Sequence, residues 1–262
     1  MKKLILFMIS FIILFPLILI FLLSINTFYR YPSLLPKGFT LMSWKYNLFG
    51  NSLLYKSILT SLLIGILNGI FTSVIAMLSA RALIKYKFIG QNSIKLLFSI
   101  PLFIPSIALF IGIHSMMIKL NIINTYLGVI IAHMLVSIPY SINIFIAFFS
   151  GINEDMENAA ISLGSSTYKL YTRIIFPLIS PGIYLSFSIS FLISFSEYFS
   201  TFLVGGGNII TLPLLFYPYV SNGDSQNGAV IGIIFIIINL LIFIFAEYLS
   251  RKKIKTENYL FE

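Results

Sequence analysis

The sequence predicts an all-α membrane protein with six transmembrane helices, and three observations support this class. Hydrophobic residues make up 58% of the 262 positions and charged residues only 10%, whereas an ordinary soluble domain carries about 25% charged residues. Apolar runs of the length that a helix needs to cross a bilayer, about 20 residues, recur along the chain. The basic residues gather in alternate connections between these runs. We therefore expect residues 1–262 to form a single transmembrane domain.

Six apolar segments account for the predicted spans, at residues 4–25, 57–79, 96–118, 127–149, 181–204 and 228–249. The first segment follows two lysines, which is also how a secretory signal peptide begins. Its apolar run is too long for a signal peptide, and residues 24–26 make a poor cleavage site. We expect this segment to be a retained span.

The distribution of basic residues predicts the orientation of the chain. If the N-terminus is cytoplasmic, 12 of the 17 Lys and Arg residues face the cytoplasm, as the positive-inside rule requires. These are Lys2, Lys3, Arg81, Lys85, Lys87, Lys95, Lys169, Arg173, Arg251, Lys252, Lys253 and Lys255. An even number of spans then places both termini of this multi-pass protein in the cytoplasm. Because the net charge of +9 flanks spans rather than forming one solvated face with aromatic residues between the charges, lipid is the expected partner and nucleic acid is not.

The connection between the fourth and fifth spans has the features of a short helix with defined ends. Asn153 is a suitable N-cap, and acidic residues occupy the first turn, where the helix dipole favours anions. Gly164 suits the left-handed position after the last turn. Apolar residues recur at helical spacing between these ends, at Met156, Ala159, Ala160 and Leu163. This stripe predicts a surface that a partner covers.

A second helical stretch is predicted to begin near Ser166 or Thr167 and to stop at Pro177, since proline ends or kinks a helix. From Ala159 to Pro177 the spacing resembles the cytoplasmic "EAA" loop of ABC importer permeases, whose pattern is Glu-Ala-Ala, three residues, Gly, nine residues, then Ile-x-Leu-Pro. Ala159, Ala160, Gly164, Ile174 and Pro177 occupy the matching positions. Two positions depart from the pattern: Asn158 replaces Glu, with Glu157 immediately before it, and Phe176 replaces Leu.

This resemblance implies a permease subunit of a type I, binding-protein-dependent ABC importer in the bacterial inner membrane, nearest to the branch that imports polyamines, thiamine or ferric iron. It implies that the loop at residues 150–177 couples the spans to a separate dimer of ATP-binding cassette ATPases. The residues that it assigns to this coupling are Glu157, Asn158, Ala159, Ala160, Leu163 and Gly164. The other implied partners are a second permease subunit, which we expect to be a different chain, and an extracytoplasmic substrate-binding protein.

The sequence has no phosphate-binding loop of the form G-x-x-x-x-G-K-[ST]. ATP and Mg²⁺ are therefore expected on the partner ATPase, and this chain is expected to be a non-catalytic subunit without a cofactor of its own. His114 and His133 are isolated from other ligand-type residues and cysteine is absent, so we expect no metal site.

Glu197 is an ionisable residue within the predicted fifth span. Such residues are costly in a membrane and normally face the interior of the bundle. Two interpretations remain open: a carboxylate on the transport pathway, or a structural carboxyl group bound by neighbouring hydroxyls.

Two other classes of function compete with the importer. A secondary transporter driven by an ion gradient commonly shows internal repeats and interrupted helices, and no repeat is evident in this sequence. An intramembrane enzyme would need a nucleophile with its base, or paired metal ligands, inside the spans. Neither arrangement is present.

Overall fold

The computed structural model describes the backbone of residues 2–27 and 38–258 and the side chains of residues 8–27 and 38–248. These residues form twelve α-helices, joined in places by short π-helical or 3₁₀ turns. In chain order they are α1 (Lys2–Ser24), α2 (Met42–Lys45), α3 (Ser52–Lys85), α4 (Gln91–Ser99), α5 (Ser106–Lys119), α6 (Tyr126–Ser150), α7 (Glu154–Ser162), α8 (Thr167–Leu170), α9 (Phe176–Ser196), α10 (Phe199–Gly205), α11 (Leu212–Ser221) and α12 (Ser225–Asn258). The predicted all-α class is confirmed.

Four helical segments are long and apolar enough to cross a membrane: α3, α6, the continuous segment Thr167–Ser196, and Ser225–Tyr248 within α12. The pair α4 and α5 would be a fifth if it is counted as one span, and α1 contributes a shorter apolar helix at Met8–Ser24. The count of six spans stays a prediction. The predicted orientation rests partly on Lys2, Lys3 and the four basic residues after Leu249, whose side chains lie outside the described residues.

The predicted third span, residues 96–118, is not one continuous helix. Helix α4 and a 3₁₀ turn at Ile100–Leu102 run into α5 with a bend of 106°. Pro101 lies within the turn, and Pro105 is the N-cap residue of α5, with an extended ψ of 129°. A proline lacks the backbone N–H that would continue the preceding helix, so the chain changes direction here.

The end of the second helical stretch at Pro177 was predicted wrongly. The chain stays helical from Thr167 to Ser196, passing through a π-helical turn at Tyr171–Ile175. Pro177 lies in the first turn of α9, where the absent N–H costs little because the preceding turn changes the hydrogen-bonding register. The loop therefore leads into the next span without a break.

The chain divides into two compact units, and a single domain stays a prediction. The first unit comprises Met1–Thr60 and Ile210–Leu240. Within it, buried Asn47 donates from Nδ2 to Oδ1 of Asn227 in α12 at 2.7 Å, and Trp44 Nε1 donates to Ser24 Oγ in α1 at 3.2 Å. Both bonds tie the segment between α1 and α3 to neighbouring helices of this unit.

The second unit comprises Ser61–Ile209 and Leu241–Glu262. Its core is built on α6 and α9, with large buried side chains that include Phe110, Phe145 and Phe191. Helix α3 approaches α9 closely at two glycines one helical turn apart. An added Cβ at Gly65 would meet the Phe191 ring at 2.8 Å, and one at Gly69 would meet the Phe187 ring at 2.7 Å. Small residues at this spacing allow close packing of membrane helices.

Candidate coupling loop and buried polar network

The ends of α7 are fixed by local hydrogen bonds, as predicted. The Asn153 side chain accepts from the backbone N–H of Asp155 at 3.0 Å. At the other end, Gly164 has φ +81°, and its N–H donates to Ile161 O at 2.9 Å, while Ser165 N–H donates to Ala160 O at 3.0 Å. This pair of bonds is a Schellman motif, which supplies hydrogen-bond donors to carbonyl groups of the last helical turn that have no partner within the helix.

Most of α7 is exposed, and Glu157 is its one buried residue. Leu163 is 89% exposed and Met156 38% exposed, and Ala159 and Asn158 also lie at the surface. Ala160, the fourth member of the predicted apolar stripe, is half-buried and packs against the cluster that contains Phe149 and Leu170. The outward surface is therefore narrower than the predicted stripe: we define the exposed face as Met156, Ala159 and Leu163.

Glu157 points away from the exposed face and into its own chain. It is 7% exposed. Arg81 Nη2, from α3, donates to Glu157 Oε1 at 2.7 Å and to Oε2 at 2.6 Å, and Lys85 Nζ lies 3.5 Å from Oε2. Burial by itself would raise the pKa of the Glu157 carboxyl group, but the hydrogen bond and charge of Arg81, with a smaller contribution from Lys85, outweigh it and lower that pKa.

Glu197 does not lie in the middle of a helix, contrary to the sequence-based expectation. Helix α9 ends at Ser196, Glu197 is extended (φ −78°, ψ 112°), and α10 begins at Phe199. The Glu197 side chain is half-buried, and its Oε1 accepts from the backbone N–H of Ser200 at 3.2 Å. The carboxyl group thus binds the start of α10, at a break in the predicted fifth span.

A buried polar network beside this break was not anticipated. His133 of α6 places Nδ1 2.7 Å from Ser194 Oγ in α9 and Nε2 3.0 Å from Thr201 Oγ1 in α10. One turn away, Asn68 of α3 donates from Nδ2 to Ser137 Oγ at 3.0 Å and to Ser190 O at 2.8 Å.

Two further hydroxyl pairs continue the network, Ser141 with Ser190 and Ser73 with Ser186. The sequence signal was a four-residue spacing of polar residues, 133, 137 and 141 in one span and 186, 190 and 194 in another. That spacing places each set on one face of its helix.

The loop presents exposed apolar side chains, and the network is built from hydrogen bonds between buried polar side chains. Among the residues whose side chains are described, no group of three or more His, Cys, Asp or Glu is placed to hold a metal ion.

Residues 72–255 match the family described as "Binding-protein-dependent transport system inner membrane component". The chain is similar to the spermidine/putrescine transport system permease protein PotC of Haemophilus influenzae, with 24% identity over 216 residues that cover 82% of this chain and 84% of PotC. It is also similar to the putative 2-aminoethylphosphonate transport system permease protein PhnV of Salmonella typhi, with 27% identity over 244 residues that cover 92% of each chain.

Solved structures show the same fold. A bacterial ABC transporter involved in the import of the acidic polysaccharide alginate matches with a TM-score of 0.73 at 17% identity, covering 96% of this chain and 94% of that one. The inward-facing MetNI methionine ABC transporter matches with a TM-score of 0.61 at 16% identity, covering 77% of this chain and 96% of that one.

Proposed function

This chain belongs to the family of binding-protein-dependent transport system inner membrane components, and from that premise we propose how it works within an ABC importer as a permease subunit. ATP is hydrolysed on a separate ATPase dimer, and the α7 loop receives the resulting movement. A second, different permease chain completes the gated passage, and an extracytoplasmic binding protein delivers the solute. Both termini and the α7 loop lie in the cytoplasm.

The observation that supports this proposal is the exposed face of α7. Met156, Ala159 and Leu163 present apolar surface outside the predicted spans, on a helix whose two ends are fixed by their own hydrogen bonds. An apolar helix face of this kind fits a groove in a partner protein. The alanine allows a partner backbone to approach closely.

The solute is proposed to be small and to carry an amine. PotC is named for spermidine and putrescine and PhnV for 2-aminoethylphosphonate, and all three compounds contain a primary amine. Glu197 lies at the break between α9 and α10. When ionised, its carboxyl group carries the negative charge that complements a protonated amine. We propose it as a residue of the passage.

The docking proposal is tested by purifying the tagged chain from membranes with the ATPase that accompanies it. We expect Leu163→Asp to abolish this co-purification, because a charge on the exposed face must be desolvated when the partner binds. Ile89→Asp is the matched control, since Ile89 is a fully exposed apolar residue in the turn between α3 and α4. Equal recovery of the ATPase with both variants would contradict the docking role of α7, and absence of any ATPase with the wild-type chain would contradict the proposed function.

A further inference from the structure

Arg81 lies near the C-terminal end of α3 and contacts three other segments of the second unit. Its Nη2 donates to both carboxylate oxygens of Glu157 in α7. Its Cζ lies 5.4 Å from the ring centroid of Phe149 in α6 and 5.8 Å from that of Tyr171 in the π-helical turn. One side chain therefore connects α7 with the ends of α3 and α6 and with the start of the next span.

The geometry around Arg81 restricts its movement. The Arg81 and Glu157 side chains are only 12% and 9% exposed, and charge-assisted hydrogen bonds between such groups are short and directional. A planar guanidinium also stacks on aromatic faces, which lysine does not do in the same way. The contact is therefore a stiff connection between α7 and α3.

The backbone offers a weaker connection at either end of α7. Residues 151–153 and 163–166 form turns, and most of these residues are exposed. Turns with few buried contacts open more easily than packed segments do. A force applied to α7 is therefore transferred through the buried ion pair more directly than through these turns.

We propose that Arg81 and Glu157 form a latch that carries the movement of α7 to α3, and that Glu157 is a positioning residue rather than a contact of the ATPase. This inference rests on the proposed function, since it assumes that an ATPase moves α7. Glu157 and the exposed face of Met156, Ala159 and Leu163 differ in what they contact, so docking and transmission use different side chains of the same helix. Lys85 is secondary, because its side chain is 37% exposed and its Nζ is 3.5 Å from the carboxylate.

The experiment measures the ATP-driven movement of α3 in the purified complex of the chain with its ATPase. Because the chain has no cysteine, Leu78→Cys, at an exposed position on α3, can carry a single fluorophore. ATP is the probe, so no transported solute is needed. Five chains are compared in this background: the parent, Glu157→Gln, Arg81→Gln, the double variant Arg81→Gln/Glu157→Gln and a control, Glu154→Gln.

We expect each single variant to reduce the ATP-driven fluorescence change by about fivefold or more, the lower end of the usual range for energetic coupling between two sites. The double variant should be no worse than either single variant, because residues that act as one contact are non-additive. Glu154→Gln is the matched control: it removes a carboxylate from the same helical turn, but Glu154 is exposed. It should leave the fluorescence change unaltered.

Co-purification of the ATPase distinguishes a role of Glu157 in the latch from a role in docking at the exposed face. The latch predicts that Glu157→Gln retains wild-type recovery of the ATPase while losing the fluorescence change. A full fluorescence change in Glu157→Gln, additive losses in the double variant, or no ATP-driven change in the parent would each overturn the latch. If the ATPase failed to co-purify with Glu157→Gln but still co-purified with the other chains, Glu157 would be a docking residue and the latch would be overturned. The proposed function would still stand.

Discussion

His133 Nδ1 lies 2.7 Å from the hydroxyl of Ser194, and its Nε2 lies 3.0 Å from the hydroxyl of Thr201. Thr201 Oγ1 donates its own hydrogen to Glu197 O at 3.2 Å, so it accepts from Nε2–H of the histidine. Ser194 then donates to Nδ1. A neutral imidazole with its hydrogen on Nε2 satisfies all of these groups and holds α9 and α10 together across their break.

We therefore expect His133→Ala to destabilise the purified chain in detergent by about 1–3 kcal/mol, because it leaves buried hydroxyl groups without their partner. The measurement is the midpoint of thermal unfolding. His114→Ala is the control, since His114 is half-buried in α5 and occupies no comparable junction. A midpoint for His133→Ala equal to that of the control would contradict a structural role for the imidazole.

Substitutions of Glu197 distinguish a carboxylate on the transport pathway from a carboxyl group that only accepts a hydrogen bond from Ser200. Glu197→Gln keeps the oxygen that accepts from Ser200 N–H, so we expect normal membrane abundance but reduced uptake if the charge serves the solute. Glu197→Leu removes the acceptor as well, and leaving the N–H of buried Ser200 without its partner costs about 1–3 kcal/mol, so abundance should also fall. The measurement is binding-protein-dependent uptake of radiolabelled putrescine or 2-aminoethylphosphonate at matched abundance. Wild-type uptake by Glu197→Gln would exclude a required charge at this position and leave only the hydrogen bond to Ser200.

Gly164 is expected to tolerate alanine poorly and proline not at all. No atom lies within 4 Å of an added Cβ, so the cost of Gly164→Ala comes from its φ of +81° and should be about 1–2 kcal/mol of local strain. Gly164→Pro cannot adopt that φ and loses the bond from its N–H to Ile161 O. We expect Gly164→Pro to insert normally and to abolish uptake and ATPase co-purification.

Gly90→Ala provides the control for this experiment. Gly90 has φ +91° and equally open surroundings, but lies before α4 rather than after α7. Backbone strain there should leave ATPase recovery intact. If Gly90→Ala and Gly164→Ala reduced recovery of the ATPase equally, the loss would not come from the exposed face of α7.

The predicted orientation is tested with single cysteines, because the wild-type chain has none. Asn227 is half-buried and accepts from Asn47, so the exposed Asn222 is the better site in the same segment. We expect an impermeant thiol reagent added outside intact cells to label Asn222→Cys and not Lys87→Cys. Labelling of Lys87→Cys under these conditions would reverse the orientation.

The ion pair of Glu157 predicts a pH dependence of stability. Because the pKa of this carboxyl group is lowered in the folded chain, its contribution is fully present at neutral pH and down to the ordinary carboxyl pKa. The contribution is lost as the pH falls further, through the lowered folded-state pKa. Thermal unfolding of the wild-type chain and Glu157→Gln should therefore differ most at neutral pH and converge under strongly acidic conditions. A constant difference across that range would contradict the charged pair as its source.

The local features of this protein could be predicted from neighbouring residues alone. The caps of α7 at Asn153 and Gly164 depend on hydrogen bonds to residues two to five positions away, and the apolar composition requires a membrane class because no aqueous core could bury it. The family resemblance was likewise carried mainly by the spacing of residues within one loop. The residues of that loop assigned to coupling stay predictions, although the position of each side chain is now known.

Only the tertiary structure decided which polar side chains meet. Arg81 and Glu157 are 76 positions apart and His133 and Ser194 are 61 apart, and no pattern within one helix specifies which helices pack together or in which register. The helix break at Glu197 and the continuous helix through Pro177 were missed for a related reason. In a membrane, backbone groups freed by a break or a proline must find partners in neighbouring segments, and those partners are present only once the helices have packed.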